Sequence, residues 1–302
     1  MKLKYKYQDF QKEAAQCVTD IFKGQPNKAG VKYLVDPGDS NQLFEEIGFG
    51  NWPLTVDLGK MTENVREIQM RQGLKPINKW KTSDKQKVKP FVPAFTIEME
   101  TGTGKTYTYI KTMYELNKRY GWSKFMIVVP SVAIREGVHK SFESMREHFA
   151  QEYEKPMQYF IYNSNQLTKI DGFASDNGLH VMIINTQAFN RSFDEEDKNK
   201  DSLIIFSKRD EFGSRRPIDI IAKNNPIMII DEPQSVLGDD RKKNSKTRQN
   251  LTVFNPLFTL MYSATHRDGD IYNKVYRLDA IDAYNKKLVK KIEVKGIRQI
   301  GN

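Results

Sequence analysis

Residues 99–106 read Met-Glu-Thr-Gly-Thr-Gly-Lys-Thr. Two glycines, Gly102 and Gly104, let backbone N–H groups turn inward around an anion. Lys105 supplies a point charge, and the Thr106 hydroxyl is a ligand for a hard divalent ion such as Mg²⁺. With Thr101 and Thr103 completing the loop, the stretch fits the phosphates of a nucleotide such as ATP. Loops of this pattern usually begin with Gly; Met99 stands there instead, at a position that faces no phosphate. A second set lies far downstream in "IIDEPQ", where an apolar run ends in Asp231 and Glu232. Asp231 is expected to hold Mg²⁺ through water, and Glu232 to orient or deprotonate an attacking water. Lys105, Asp231 and Glu232 are therefore the candidate catalytic groups, with Thr106 and Asp231 as metal ligands. A third set is "MYSATH", whose Ser263 and Thr265 hydroxyls are placed to hydrogen-bond those carboxylates and report their state. Taken singly, each set has a plain alternative: a glycine turn before a helix, a cap, an ST-turn.

These groups need elements to carry them. "AFTIEM" runs as a strand into the glycines, and "KTYTYIKTMYELNKRY" follows as a helix stopped by Gly121. "KFMIVV", "QYFIY", "HVMIIN", "PIMIID" and "FTLMYSA" are further short apolar runs, read as buried strands. "SVAIREGVHKSFESMREHF" is a helix with Ile134, Val138, Phe142, Met145 and Phe149 on one face. Short apolar runs between helices mean parallel strands covered on both sides. The predicted fold is thus α/β, with a doubly wound parallel sheet. Near the start, "QDFQKEAAQCVTDIFK" reads as a helix from Phe10, Ala14, Val18 and Ile21 or Phe22. Residues 25–90 read as an insertion packed on the main domain, with "MTENVREIQMRQG" as a helix. Residues 191–216 are a charged excursion and 239–250 an exposed loop, both candidate mobile segments.

The 302 residues suffice for one large domain or two small ones. One cysteine, Cys17, excludes an internal disulfide and fits a reducing, cytoplasmic setting. No secretory signal is visible, and no apolar run is long enough to cross a bilayer. The formal charge is +10, concentrated in 239–250 and 281–302, which suits a polyanionic partner. The four histidines, at 139, 148, 180 and 266, have no metal-ligand spacing.

Together these motifs resemble a superfamily 2 helicase motor, in particular the restriction (Res) subunit of type III restriction–modification enzymes. "METGTGKT" resembles motif I, "IVVPSVAIREGV" motif Ia, "INTQAF" the next nucleic-acid-facing motif, "IIDEPQ" motif II and "LMYSATH" motif III. "VYRLDAIDAYNKKLVKKIEV" resembles the same family just beyond motif III, and "DFQKEAAQCVTDIF" its adenine-reading segment. The resemblance implies a P-loop NTPase of RecA-like fold with an N-terminal insertion. It divides the chain into an adenine-reading helix (1–24), the insertion (25–90), a first RecA-like motor domain (91–280) and a linker or start of a second domain (281–302). It makes Gln11 the adenine contact and Gln234 a coupling residue beside Ser263 and Thr265. It places double-stranded DNA on Ser131, Arg135, Thr186 and Gln187. It implies ATP and Mg²⁺ as cofactors, and a modification methyltransferase subunit as partner. A second RecA-like domain with a completing arginine, and a nuclease domain, are expected of the family and not found here, so the chain reads as a fragment or truncated gene. Such a piece is expected to bind ATP, hydrolyse it slowly and cleave no DNA. Other superfamily 2 motors, a P-loop nucleotide-binding module with no motor role, and a non-catalytic nucleic-acid-binding fragment remain alternatives.

Overall fold

The computed structural model describes residues 5–35, 37–38, 47–80, 92–189, 204–238, 246–266 and 271–290. Two short strands, β1 (Val31–Leu34) and β2 (Ile47–Gly50), pair antiparallel. The main sheet takes β3 (Ala94–Met99), β4 (Lys124–Val129), β5 (Met157–Ile161), β6 (Leu179–Asn185), β7 (Ile227–Asp231), β8 (Thr259–Ser263) and β9 (Tyr276–Leu278). Its seven strands stand in the order β5-β6-β4-β7-β8-β3-β9, and every neighbouring pair is parallel. The helices are α1 (Asp9–Asp20), α2 (Leu58–Arg71), α3 (Lys105–Tyr120), α4 (Val132–Tyr153), α5 (Thr168–Ser175), α6 (Pro217–Lys223), α7 (Pro233–Val236), α8 (Lys246–Val253) and α9 (Ala280–Asn285).

Alternation along each strand divides the interior into two cores, one per face. Phe95, Ile97, Ile127, Val129, Ile229, Leu260 and Tyr262 point to one side, where α1, α2, α3 and α4 cover them. Met126, Val128, Ile184, Met228, Ile230 and Met261 point to the other, under α5, α6 and α8. This is the doubly wound α/β architecture expected from the apolar runs. Both α1 and α2 bury their apolar faces in the first core, through Phe10, Ala14, Val18, Met61, Val65 and Ile68. At the amino end of the sheet Asn51, fully buried, is the tie between the segment after β2 and the strands. Its Nδ2 donates to the carbonyls of Lys124 (2.8 Å) and Asn225 (2.9 Å), and its Oδ1 accepts from the N–H groups of Ser123 and Lys124.

Three expectations change. Ile134 is 38 % exposed rather than packed, because the first turn of α4 overhangs the sheet's end. Residues 246–250, expected in a loop, begin α8, whose Leu251 packs into the second core; 239–245 lie outside the described residues. Of the charged excursion, 191–203 lie outside the described residues, but Ile204, Ile205 and Phe212 are buried in the second core, so its later part is anchored. Strand β9 and helices α5 and α6 were not foreseen.

Candidate functional site

Parallel strands end along one edge, so whatever follows each of them meets there. β3 delivers the loop at 100–104, β7 delivers Asp231 and Glu232, and β8, standing between these two strands, delivers Ser263. The loop is closed by its own first residue. The Glu100 carbonyl accepts from the Thr103 N–H (3.2 Å) and from the Thr103 hydroxyl (2.6 Å), and the Glu100 carboxylate accepts from the Thr101 N–H (2.8 Å). Gly102 and Gly104 take φ of 81° and 86°, the left-handed region that a side chain disfavours. A Cβ on Gly104 would also stand 2.4 Å from Gln11 Nε2, because Gln11, almost fully buried on α1, donates to the Thr103 carbonyl at 2.9 Å. Thr101 and Gly102 are exposed, whereas Thr103 is buried against the loop. Met99 is fully buried in the core, as a position without contact to phosphate allows.

Glu232 is where the three sequence sets converge. Lys105 Nζ pairs with its Oε1 at 3.0 Å. Its Oε2 accepts from the Ser263 hydroxyl and from Gln234 Nε2, each at 2.6 Å. Burial alone would raise this carboxyl, but hydrogen bonds from Ser263, Lys105 and Gln234 outweigh it and hold Glu232 below its ordinary range. Its backbone sits at φ 54°, ψ 63°, a left-handed conformation held by a non-glycine residue at the centre of the cluster. Ser263 Oγ also lies 2.9 Å from Gln234 Oε1 and 2.7 Å from the Thr265 carbonyl. With one proton to give, the hydroxyl serves one of three acceptors at a time. Thr265 enters through its backbone; its N–H points back at Ser263 Oγ (3.3 Å), and no bond runs from its hydroxyl to either carboxylate among the described contacts.

Asp231 differs from its neighbour. It is 7 % exposed, and its Oδ1 has no hydrogen-bond partner. Burial and the adjacent Glu232 charge push its carboxyl up to about 6. An orphaned carboxylate oxygen beside a phosphate-shaped loop is the donor that a divalent ion would satisfy. Among the described residues no three His, Cys, Asp or Glu side chains gather into a ready cage. Mg²⁺ takes one or two protein groups and completes its shell with phosphate and water. Thr106, on the first turn of α3, and Asp231 are the pair available to it.

The four residues assigned to DNA lie on the same sheet edge but over β4 and β6. From β3 to β6 is four strand spacings, roughly 19 Å. Ser131 is the N-cap of α4, its hydroxyl accepting from the Ile134 N–H (3.3 Å). Arg135 donates to Asn185 Oδ1 (3.1 Å) and pairs with Glu136 (2.9 Å). Thr186 donates to the Pro130 carbonyl (3.1 Å), and Gln187 accepts from Asn185 Nδ2 (3.3 Å). Arg135, Asn185 and Gln187 line a polar cleft of about 340 Å³ together with Asn163, Ser164 and Asn165 from the end of β5. Sequence reading missed those three because a short polar loop carries no periodic signal. It also missed a buried group behind the phosphate loop. Glu98 on β3 binds Lys274 Nζ, and the fully buried His266 ring lies 3.9 Å from the same carboxylate, its titration lowered by burial.

The family described as "Type III restriction enzyme, res subunit" matches residues 63–268. The chain is 35 % identical over 214 residues to the EcoPI Res subunit of Escherichia phage P1, covering 65 % of this chain and 21 % of that protein. It is 30 % identical over 287 residues to the StyLTI Res subunit of Salmonella typhimurium strain LT2, covering 84 % and 27 %. The chain therefore spans about a fifth to a quarter of the length of these relatives. Among solved structures, the Sulfolobus solfataricus SWI2/SNF2 ATPase core in complex with dsDNA aligns over 80 % of this chain and 36 % of its own, with TM-score 0.37 and 9 % identity. A nuclease-deletion mutant of the type ISP restriction-modification enzyme LlaGI, in complex with a DNA substrate mimic, aligns over 64 % and 18 %, with TM-score 0.39 and 12 % identity. With more than half its length matched by one family and the motifs meeting at one carboxylate, the chain belongs to the Res subunits of type III restriction enzymes.

Proposed function

We propose that this chain is the ATP-binding part of a type III restriction endonuclease motor, coupling ATP hydrolysis to translocation along double-stranded DNA. The observation that carries the proposal is the shared carboxylate: Lys105 and Ser263, from two different motifs, both hold Glu232. Binding of the γ-phosphate would draw Lys105 off Glu232 and free that carboxylate to orient and deprotonate water. The loop amides at 101–106 would cradle the phosphates, Thr106 and Asp231 would hold the metal, and Gln11, bonded to the Thr103 carbonyl, would tie the adenine end to the loop. Mg²⁺, when bound, would offset the negative charge of the phosphates. Ser263, released from one acceptor, turns to Gln234 or the Thr265 carbonyl, which gives the β8 end a way to register the state of Glu232. Ser131, Arg135, Thr186 and Gln187 contact the DNA backbone without reading bases. In this reading residues 1–24 form the adenine-reading segment, 25–90 an insertion, 91–280 the first motor domain and 281–302 the approach to the next. In this reading the protein works in the cytoplasm beside a modification methyltransferase subunit.

Calorimetry of Mg-ATP binding, with phosphate release measured in the presence and absence of duplex DNA, tests this. The wild type should bind ATP in preference to GTP, since the Gln11 amide offers both a donor and an acceptor to the adenine edge. Lys105→Ala should lose binding and about 10²–10³ of any hydrolysis rate. Unchanged nucleotide affinity in Lys105→Ala would refute the site. Phosphate release indifferent to DNA would favour a nucleotide-binding module with no motor role.

A further inference from the structure

Tyr109 is fully buried on α3, one helical turn beyond Thr106, and its hydroxyl makes no hydrogen bond. Residues three apart share a helix face, so Thr106 and Tyr109 project toward the same region. The Tyr109 ring meets the Tyr262 ring edge-on, with centroids 5.6 Å apart. Tyr262 is the register partner of Asp231 on the adjacent parallel strand, and register partners point to the same face of a sheet. Tyr262 faces the α3 side, so Asp231 does too. The Asp231 carboxylate, the Thr106 hydroxyl and Tyr262 all act on the Tyr109 hydroxyl. Thr106 approaches it as a partner, but no bond closes. The two tyrosines of the pair differ in one respect: the Tyr262 hydroxyl shares a hydrogen bond with Thr112 at 3.0 Å, and the Tyr109 hydroxyl has none. Asp231 Oδ1 is likewise without a partner. Two buried orphans, one a donor and one an acceptor, thus flank the place assigned to the metal. Were packing the whole role of Tyr109, phenylalanine would fill the space without the cost of an unmade bond.

Resting on the nucleotide reading above, we infer that Tyr109 is a positioning residue for the metal site, its hydroxyl donating to Asp231, directly or through one water, and fixing that carboxylate toward Thr106 when Mg²⁺ and nucleotide are bound. It acts one step behind the ligands, as groups that orient metal-bound carboxylates do.

The test compares wild type, Tyr109→Phe and Tyr262→Phe, the last removing a hydroxyl already satisfied by Thr112. Nucleotide binding is titrated calorimetrically without Mg²⁺ and then at rising Mg²⁺. Tyr109→Phe should bind nucleotide as wild type does without Mg²⁺, yet need roughly tenfold more Mg²⁺ for half its maximal effect. Its unliganded melting temperature should stay level or rise. Tyr262→Phe should melt earlier with its Mg²⁺ requirement unchanged. An unshifted Mg²⁺ requirement in Tyr109→Phe, an equal shift in Tyr262→Phe, or loss of both fold and Mg²⁺-free binding in Tyr109→Phe would each overturn the inference. A wild type that binds no Mg-nucleotide would refute the nucleotide site itself, and this inference with it.

Discussion

Lys105 stands at the carboxyl end of the sheet on the first turn of α3, and Lys124 at the amino end as the first residue of β4. Both side chains are largely or wholly buried. Lys105 is met by a carboxylate, Glu232, in a crevice open enough to leave the lysine 12 % exposed. Lys124 is fully enclosed, its ammonium donating to the main-chain carbonyl of Asp176 and lying 5.4 Å from the Phe173 ring centre. Burial pushes Lys124 down to about 8, against the pull of the Asp176 carboxylate. The difference lies in what could replace each partner. A carboxylate in an open crevice can be exchanged for a phosphate, and on the function proposed above the Lys105 pair is the resting arrangement of the site. A carbonyl in a closed pocket offers no such exchange, and there the charge of Lys124 is a burden on the fold.

Glu232→Gln breaks the first arrangement most severely. The amide can still accept from Ser263 but no longer pairs with Lys105 or takes a proton from water. Hydrolysis should fall by about 10²–10⁴, while nucleotide affinity holds or tightens by roughly three- to tenfold because Lys105 is released. Single-turnover phosphate release beside equilibrium binding separates the two; weaker binding in this variant would mean that Glu232 does not compete with phosphate.

Lys124→Met addresses the second. Because the folded-state value lies below that of the unfolded chain, the unfolded state binds more protons between about pH 8 and the ordinary lysine range. The Lys124 contribution to stability therefore improves as pH rises through that window and is at its worst below pH 8. The variant should exceed wild type at pH 7 by up to about 3 kcal/mol, the gap narrowing toward pH 10. Urea unfolding at several pH values checks this, and a gap that does not change with pH would remove the burden from Lys124.

A third cation lies between these extremes. Arg135 is half satisfied by Asn185 and Glu136, with its Nε unpartnered. Arg135→Ala should weaken duplex binding about tenfold or less and lower the salt slope by about one. Titrations at two salt concentrations measure both, and an unchanged slope would move DNA off this cleft.

The strands were legible because a parallel sheet buried on both faces writes itself as unbroken apolar runs, as "KFMIVV" and "PIMIID" do. Strand β9 was not, since three residues pairing with β3 leave no run to read. The phosphate loop, Asp231, Glu232 and Ser263 were legible from residue type and strand ends. What those groups do to one another was not. That Lys105 leans on Glu232 and not Asp231, that Gln11 is engaged with Thr103, and that Thr265 contributes backbone depend on side-chain directions that no spacing encodes. Ile134 was misplaced because helical periodicity shows which residues share a face, not where the neighbouring surface stops.

The sheet that divides the interior into two cores has a further consequence. Phe22 belongs to one and Phe173 to the other, with a layer of main chain between them. Side chains that share no neighbour and stand farther apart than about 10 Å perturb stability independently. The molecule thus has two reservoirs of cohesion with a common wall. Sequence drift under α5, α6 and α8 can proceed without disturbing the packing of α1 and α3 around the phosphate loop, so one face is free to be remodelled while the other keeps its chemistry.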